Sequence, residues 1–182
     1  MHSSDDAYAD IRDGVRRTIA RFDDAYWRRC DSEHEFPHEF YDALASGGWI
    51  GIAIPEEYGG GGRGITEASV VVEEIAASGA GMNGASAVHL SIFGMNPVVK
   101  HGTADQRQRY LPQVANGSLH VAFGVTEPDA GTDTTSITTF ARRVEGGYLV
   151  RGRKVWTTKA QLCQKVLLLV RTTPLDQVAR RT

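Results

Sequence analysis

The sequence predicts a multi-domain α+β protein, with a helical N-terminal domain followed by an incomplete antiparallel β-barrel segment. Two observations predict this fold class. Apolar residues recur at three- and four-residue steps through the first two-thirds of the chain, as on the buried face of a helix, and then alternate at every second residue, as in a strand. The two patterns meet at Asn116-Gly117. The expected domains are therefore residues 1–117 and 118–182.

The first two helices are predicted from apolar spacing and from their end signals. The first has one apolar face, made by Tyr8, Ile11, Val15, Ile19, Phe22 and Tyr26. Arginines and aspartates occupy its other face, which predicts a solvated charged surface. A second helix is expected to start at Pro37, bury Phe40 and Leu44, and stop at Gly47-Gly48.

Four further helical segments follow. Thr66 can cap a third helix, which the glycines of residues 79–84 would break. A fourth is expected over residues 85–93, and Pro97 opens the next, which Gly102 closes. Thr103 and Gln106 have the spacing of a capping box, which predicts the start of a last helix that ends at the domain boundary.

The β segment is predicted from alternation and turn residues. Expected strands cover residues 120–125, 138–142, 148–151, 155–158 and 166–170, with a hairpin turn at Gly146-Gly147. Only about 65 residues follow the domain boundary, which is short for an independent antiparallel barrel and would leave an unpaired edge. The sequence therefore predicts an incomplete barrel and a truncated chain.

Composition limits the classes of function. The chain has 182 residues, 41% of them hydrophobic, and a net charge of −2, so no strong field favours nucleic acid or an anionic membrane. Cys30 and Cys163 lack metal-ligand or redox spacing, which predicts reduced thiols, and the histidines form no metal-binding pattern. No apolar run approaches the ~18–20 residues of a membrane span, and the polar residues 1–6 do not read as a signal peptide. A cytoplasmic protein without a metal is expected.

Two short stretches of the β segment carry chemistry. Residues 123–133 lead from a strand into a turn, where Pro128 fixes the backbone and Gly131 permits close approach. Residues 152–158 end in one large flat ring, Trp156, beside two threonines. Donors, acceptors and a flat apolar surface suit a planar, hydrogen-bonding cofactor. The alternative interpretation is a threonine-rich strand with a tryptophan in the core and no ligand.

These stretches resemble the paired flavin-contact motifs of the acyl-CoA dehydrogenases. The family pattern (L/V)-T-E-P-x-A-G-S-D is matched by Val125-Thr-Glu-Pro-Asp-Ala-Gly-Thr-Asp133, and G-x-K-x-W-I-T-N by Gly152-Arg-Lys-Val-Trp-Thr-Thr-Lys159. The P-x-x-Y-G-G turn of the family is similar to residues 54–60. Its helix–glycine–helix segment is similar to residues 97–112. These matches are ordered along nearly the whole chain.

The resemblance implies an enzyme that desaturates an acyl-CoA thioester between its α and β carbons, with FAD as the hydride acceptor. A carboxylate removes the α-proton in such enzymes, and alignment of base, carbonyl and flavin carries the catalysis. The family's base lies on a helix of a C-terminal four-helix domain, which would fall beyond Thr182. The implied partners are an acyl-CoA substrate, electron-transfer flavoprotein as electron acceptor and further copies of the chain in a dimer or tetramer. The 182-residue chain alone is expected to be inactive.

The resemblance also implies individual site residues. The cofactor set is Phe123, Val125, Thr126, Gly131, Thr132, Trp156 and Thr158, and the substrate set is His89, Ile92, Phe93 and Thr132. Glu127 is expected to hold the backbone donors of its own turn rather than act as the base. Lys159 replaces the family's Asn or Ser, which predicts either a solvated amine or a cation that alters the flavin.

Three alternatives stay open at this point. Flavin monooxygenases and acyl-CoA oxidases share the scaffold. A non-catalytic helical interaction module with a β tail is a third possibility of a different class. The glycine-rich residues 59–64 are a weak candidate for a phosphate cradle; because they lack the Lys-Ser/Thr of a P-loop, they are predicted to form a turn between helices.

Overall fold

The computed structural model describes residues 6–178. The chain divides into two compact units, one ending at His120 and one beginning at Val121. The ends of the two predicted domains, residues 1–5 and 179–182, lie outside the described residues. The mixture of a helical unit and a strand-bearing unit agrees with the predicted α+β class.

The helical unit contains seven α-helices, all within residues 9–115. They are α1 (Ala9–Ile19), α2 (Asp24–Ser32), α3 (His38–Ser46), α4 (Ile65–Ala77), α5 (Gly81–Ile92), α6 (Asn96–His101) and α7 (Ala104–Ala115). The apolar faces of α1 to α5 meet in one core that includes Val15, Phe40, Leu44, Val71 and Val88, each with no exposed surface. No helix among residues 6–178 has the length and apolar character that crossing a bilayer requires.

Three helix boundaries differ from the prediction because local groups decide them. Thr66 does not cap α4, since the helix begins at Ile65 and the amide of its N-cap, Gly64, donates to the Glu67 carboxylate at 3.0 Å.

The other two boundaries are those of α2 and α5. The expected single helix through Tyr26 ends at Ile19, and α2 starts anew because the Asp23 side chain accepts a hydrogen bond from the Tyr26 amide at 2.9 Å. In the other, α5 begins at Gly81, so Gly84 lies inside the helix. A Cβ at Gly84 would lie 3.3 Å from the Phe40 ring, so close packing explains this glycine. The Thr103–Gln106 capping box is present as predicted.

The charged face expected for the first helix is exposed at Arg16, Arg17 and Arg21, as predicted, whereas Arg12 is half-buried against α4. The Arg12 and Arg16 guanidinium groups donate to the Glu74 carboxylate of α4 at 2.5 and 2.6 Å, and Glu74 is only 6% exposed. Burial alone would raise the pKa of Glu74, but the hydrogen bonds from Arg16 and Arg12 outweigh it and lower that pKa. This ion cluster joins α1 to α4.

The described part of the second unit, residues 121–178, contains four short strands, β1 (Val121–Gly124), β2 (Phe140–Val144), β3 (Gly147–Arg151) and β4 (Lys165–Leu168). The strands β2 and β3 form the predicted antiparallel hairpin, with Phe140 opposite Arg151. Its turn is at Glu145-Gly146, one residue before the predicted Gly146-Gly147, because Gly147 pairs with Val144. β1 and β4 pair parallel, from Val121 opposite Lys165 to Gly124 opposite Leu168, which corrects the expectation of an antiparallel sheet. Residues 125–164 are long enough for the crossover that a parallel pair needs.

The strand predicted over residues 155–158 is absent from the described structure. Residues 152–157 have no regular secondary structure, and Trp156 has a left-handed backbone with φ of 57°. A left-handed residue interrupts the extended geometry that a ladder requires. The segment instead makes a single backbone hydrogen bond to the first motif, from the Val155 amide to the Thr126 carbonyl at 2.9 Å.

Candidate flavin site

The glycine-rich loop of the helical unit is a structural turn rather than a phosphate cradle. The amides of Gly60, Gly61 and Gly62 donate to the carbonyls of residues 55, 51 and 54 at 2.9–3.2 Å. A Cβ at Gly60 would lie 2.1 Å from the Ile54 carbonyl oxygen. The glycines are therefore explained by close backbone packing, and the three amides are already used within the loop.

The first motif of the β unit forms a tight turn at the end of β1. The Glu127 amide donates to the Ala130 carbonyl at 2.9 Å, and the Ala130 amide donates back to the Glu127 carbonyl at 3.2 Å. Pro128 and Asp129 lie exposed at the tip, whereas Ala130 is buried. The Glu127 carboxylate bonds Thr138, Thr139 and Lys154 and, within residues 6–178, no amide of its own turn, which corrects the expected partners of this side chain.

The Glu127 carboxylate is buried, at 5% exposure, and connects three segments of the unit. It accepts hydrogen bonds from the Thr138 amide and hydroxyl at 2.7 and 2.9 Å, from the Thr139 amide at 2.9 Å, and from Lys154 Nζ at 2.9 Å. Burial would raise the pKa of this carboxyl, but the hydrogen bonds from Thr139, Thr138 and Lys154 outweigh it and hold the pKa far below its usual range. Such a carboxylate is a poor proton acceptor.

The three carbonyls at the end of β1 all accept hydrogen bonds within the unit. The Leu169 amide donates to the Gly124 carbonyl at 3.0 Å, Lys154 Nζ to the Val125 carbonyl at 2.8 Å, and the Val155 amide to the Thr126 carbonyl at 2.9 Å. Within residues 6–178, the amides of Val125 and Thr126 and the Thr126 hydroxyl donate no hydrogen bond. The end of β1 therefore presents three hydrogen-bond donors that have no acceptor within residues 6–178.

The second motif places an exposed ring beside this strand end. Trp156 is 88% exposed and directly follows Val155, whose amide bonds Thr126. Thr158 is also exposed, two residues further on. An indole left open to solvent loses the burial that usually stabilises tryptophan, so its surface is available to a flat partner.

Lys159 is buried at 5% exposure, which corrects the expectation of a solvated amine. Its backbone is left-handed, with φ of 62°, and its carbonyl accepts hydrogen bonds from the amides of Leu162 and Cys163 at 3.0 Å. Burial lowers the pKa of the Lys159 amine to about 8, and the charge of Cys163 only partly opposes this. Cys163 and Cys30 are both free thiols.

The remaining predicted cofactor residues lie along the same unit. Phe123 is half-buried in β1, while Gly131 and Thr132 are exposed after the turn. A Cβ at Gly131 would meet nothing within 4 Å, so packing within the chain gives no reason for a glycine there. Next to them, the Asp133 side chain accepts from the Thr135 amide at 3.1 Å and caps the short 3₁₀ helix Thr134–Ser136.

The predicted substrate residues of the helical unit lie at the end of α5. Ile92 is 3% exposed and belongs to the core, and Phe93 is half-buried against that core. His89 is half-buried, and its Nδ1 lies 3.3 Å from the Ala85 carbonyl of its own helix. Their role toward a substrate stays a prediction.

Sequence reasoning missed Lys154, the side chain that joins the two motifs. A signal was present, because the first motif carries three acidic residues, Glu127, Asp129 and Asp133, and the second carries a lysine ahead of its tryptophan. Opposite charges in two motifs that share one site would have predicted an ion pair between them.

Comparison with known proteins matches both units. A profile of the acyl-CoA dehydrogenase N-terminal domain matches residues 5–118, and one of the middle domain matches residues 122–181. The chain is 38% identical to acyl-CoA dehydrogenase FadE12 of Mycobacterium tuberculosis over 161 residues, which is 88% of this chain and 41% of that protein. It is 29% identical to the mitochondrial isovaleryl-CoA dehydrogenase of Solanum tuberosum over 170 residues, 92% of this chain and 41% of that one.

Solved structures give the same picture. Butyryl-CoA dehydrogenase from Megasphaera elsdenii superposes with a TM-score of 0.81 at 26% identity, covering 95% of this chain and 46% of that one. A chain from the electron transferring flavoprotein study of Acidaminococcus fermentans superposes with a TM-score of 0.82 at 27% identity, covering 95% of this chain and 45% of that one. The chain spans about two-fifths of the length of the curated relatives it matches. On these matches, the chain belongs to the flavin-dependent acyl-CoA dehydrogenase family.

Proposed function

We propose that residues 121–178 hold the isoalloxazine ring of FAD in an acyl-CoA dehydrogenase. The observation that carries the proposal is the set of unused donors at the end of β1, next to an indole that is 88% exposed. The pyrimidine edge of a flavin is rich in acceptor atoms, and its ring offers a flat face. Val125, Thr126 and Thr158 would donate to that edge, and Trp156 would lie against the ring.

The other predicted residues would complete the cofactor site. Phe123 would contact the ring's edge from β1. Gly131 would allow the backbone to approach the pyrophosphate closely, and the Thr132 hydroxyl would donate to it, or to the substrate. The absence of any neighbour around a Cβ at Gly131 supports a ligand rather than packing as the reason for this glycine.

The reaction proposed for the whole protein is α,β-desaturation of an acyl-CoA thioester. Bound FAD would supply the hydride acceptor, and the protein would supply placement and electrostatics. We assign the α-proton base to none of the residues 121–178. Glu127, a carboxylate of the first motif, is held ionised by four donors and is only 5% exposed, so it is unavailable as a base.

The substrate and partners follow from the family at the same level. His89, Ile92 and Phe93 are proposed to line the acyl pocket, and electron-transfer flavoprotein is the proposed electron acceptor. The proposed assembly is a homodimer or homotetramer, and the proposed compartment is the cytoplasm.

Flavin titration and flavin bleaching test this function. Added FAD should bind the 182-residue chain with quenching of Trp156 fluorescence, and Trp156→Ala should weaken binding because a stacked base or ring is worth about 1–3 kcal/mol. Arg153→Ala, an exposed neighbour, is the matched control. Acyl-CoA added anaerobically should not bleach the bound flavin, because Glu127 is unavailable as a base and a reaction without a positioned base is slower by about 10²–10⁴-fold. Absence of FAD binding would refute the flavin site, and rapid bleaching would refute the statement about the base.

A further inference from the structure

At the end of β1, the carbonyls of Gly124, Val125 and Thr126 all accept hydrogen bonds, whereas the amides of Val125 and Thr126 donate none within residues 6–178. Two of the three donors to these carbonyls are backbone amides, from Leu169 and Val155. The third is a side chain, Lys154 Nζ, which reaches the Val125 carbonyl at 2.8 Å. The Val125 carbonyl therefore depends on a single side chain for its hydrogen bond.

Lys154 also neutralises the carboxylate that organises the unit. Its ammonium lies 2.9 Å from Glu127 Oε1, and the side chains of Lys154 and Glu127 are 9% and 4% exposed. Removing one partner of such a buried pair leaves the other charged and without compensation. One ammonium group thus binds an acidic residue and a carbonyl of the first motif from a position in the second.

We propose that Lys154 is a positioning residue for the flavin, which acts by holding the Val125 carbonyl and Glu127 so that the end of β1 offers only donors to the ring. The proposal rests on the flavin site proposed above. Lys154 would not touch the ring itself. It would fix the direction of the peptide groups on either side of Val125.

The physical reason is the mismatch that a released carbonyl would create. Without Lys154, the Val125 carbonyl would lack its donor and the peptide could rotate toward other partners. A carbonyl turned toward the acceptor-rich pyrimidine edge would place oxygen against oxygen. A donor edge also stabilises negative charge on a reduced ring, so the same lysine would tune flavin electronics through the amides that it positions.

Four variants of the chain separate positioning from simple stability. Lys154→Met removes the ammonium and keeps the stem, and Lys154→Arg keeps a cation that can donate to both partners. The double variant Lys154→Met with Glu127→Gln removes both charges, so that no carboxylate is left uncompensated. Arg153→Met is the matched control, since Arg153 is exposed in the same motif.

Three measurements read the variants: the FAD dissociation constant, the urea midpoint, and hydrogen exchange at the Val155 amide, which bonds Thr126. Lys154→Met should weaken FAD binding about tenfold or more, because that is the effect expected from the loss of one hydrogen bond. It should also speed hydrogen exchange at the Val155 amide. Lys154→Arg should restore most of the affinity. The double variant should recover the urea midpoint but not FAD affinity, and Arg153→Met should match the wild type.

The other possible outcomes also decide between positioning and simple stability. Recovery of FAD affinity together with stability in the double variant would overturn the proposal, because Lys154 would then matter only for folding. Unchanged Val155 exchange in Lys154→Met would also overturn it. If the wild-type chain binds no FAD, the flavin site itself fails, and the exchange result still decides whether Lys154 holds the two motifs together.

Discussion

The helical unit buries most of its large apolar side chains, whereas the β unit leaves many of its own exposed. Of the large apolar side chains that are exposed in the described residues, Ile65 and Met82 belong to the helical unit. Eight belong to the β unit, namely Val144, Tyr148, Leu149, Val150, Trp156, Val166, Leu168 and Leu169. The helical unit is stabilised by a closed apolar core. In the β unit, buried polar groups carry much of the connection between segments, above all Glu127.

Glu127→Ala should have the largest effect and should fall on the β unit. Four donors would lose their acceptor and Lys154 would keep a buried, unpaired charge, which typically destabilises by about 3–5 kcal/mol. Hydrogen exchange should show the loss at residues 121–178. The control is Glu145→Ala at the exposed hairpin turn. An equal effect of both variants would remove the contrast between the units.

Leu44→Ala should produce a comparable loss in the helical unit by a different mechanism. Leu44 has no exposed surface, so the substitution removes buried methyl groups and leaves a cavity, at about 3–5 kcal/mol. Urea unfolding followed by exchange of the α3 and α4 amides measures it. Ile65→Ala, at a residue 62% exposed, should change stability by much less. A small effect of Leu44→Ala would mean that the helical core is looser than its burial indicates.

The smallest expected effect concerns pH and Lys159. Its folded pKa of about 8 lies below the ordinary 10.5, so between these values the unfolded chain binds more protons than the folded one. Stability should therefore rise as the pH increases from about 8 to 10.5, and protonated Lys159 should destabilise the fold at lower pH by about 1–3 kcal/mol. Lys159→Met should raise the urea midpoint at pH 7 and flatten the rise. Lys165→Met, at an exposed residue, is the control; the same rise in Lys159→Met as in the wild type would exclude Lys159 as its source.

Local patterns in the sequence were sufficient for the helical unit and for the hairpin. The Thr103–Gln106 capping box and the turn at Gly146 depend on side chains and backbones within a few residues of one another. Such interactions are readable from spacing alone. The spacing also predicted that the chain changes from helices to strands near residue 117, and the motif pairs identified the family.

The tertiary structure decided what depends on residues far apart in the chain. The parallel pairing of β1 with β4 joins segments separated by residues 125–164, and no local period reports strand direction. The burial of Lys159 and the left-handed backbone of Trp156 likewise follow from surroundings that spacing does not describe. The bond from Lys154 to Val125 is the clearest case. The sequence by itself determined that the chain carries two motifs resembling flavin-contact motifs. Only the fold decided that a lysine of one motif donates a hydrogen bond to a carbonyl of the other, because hydrogen-bond partners are set by distance in space.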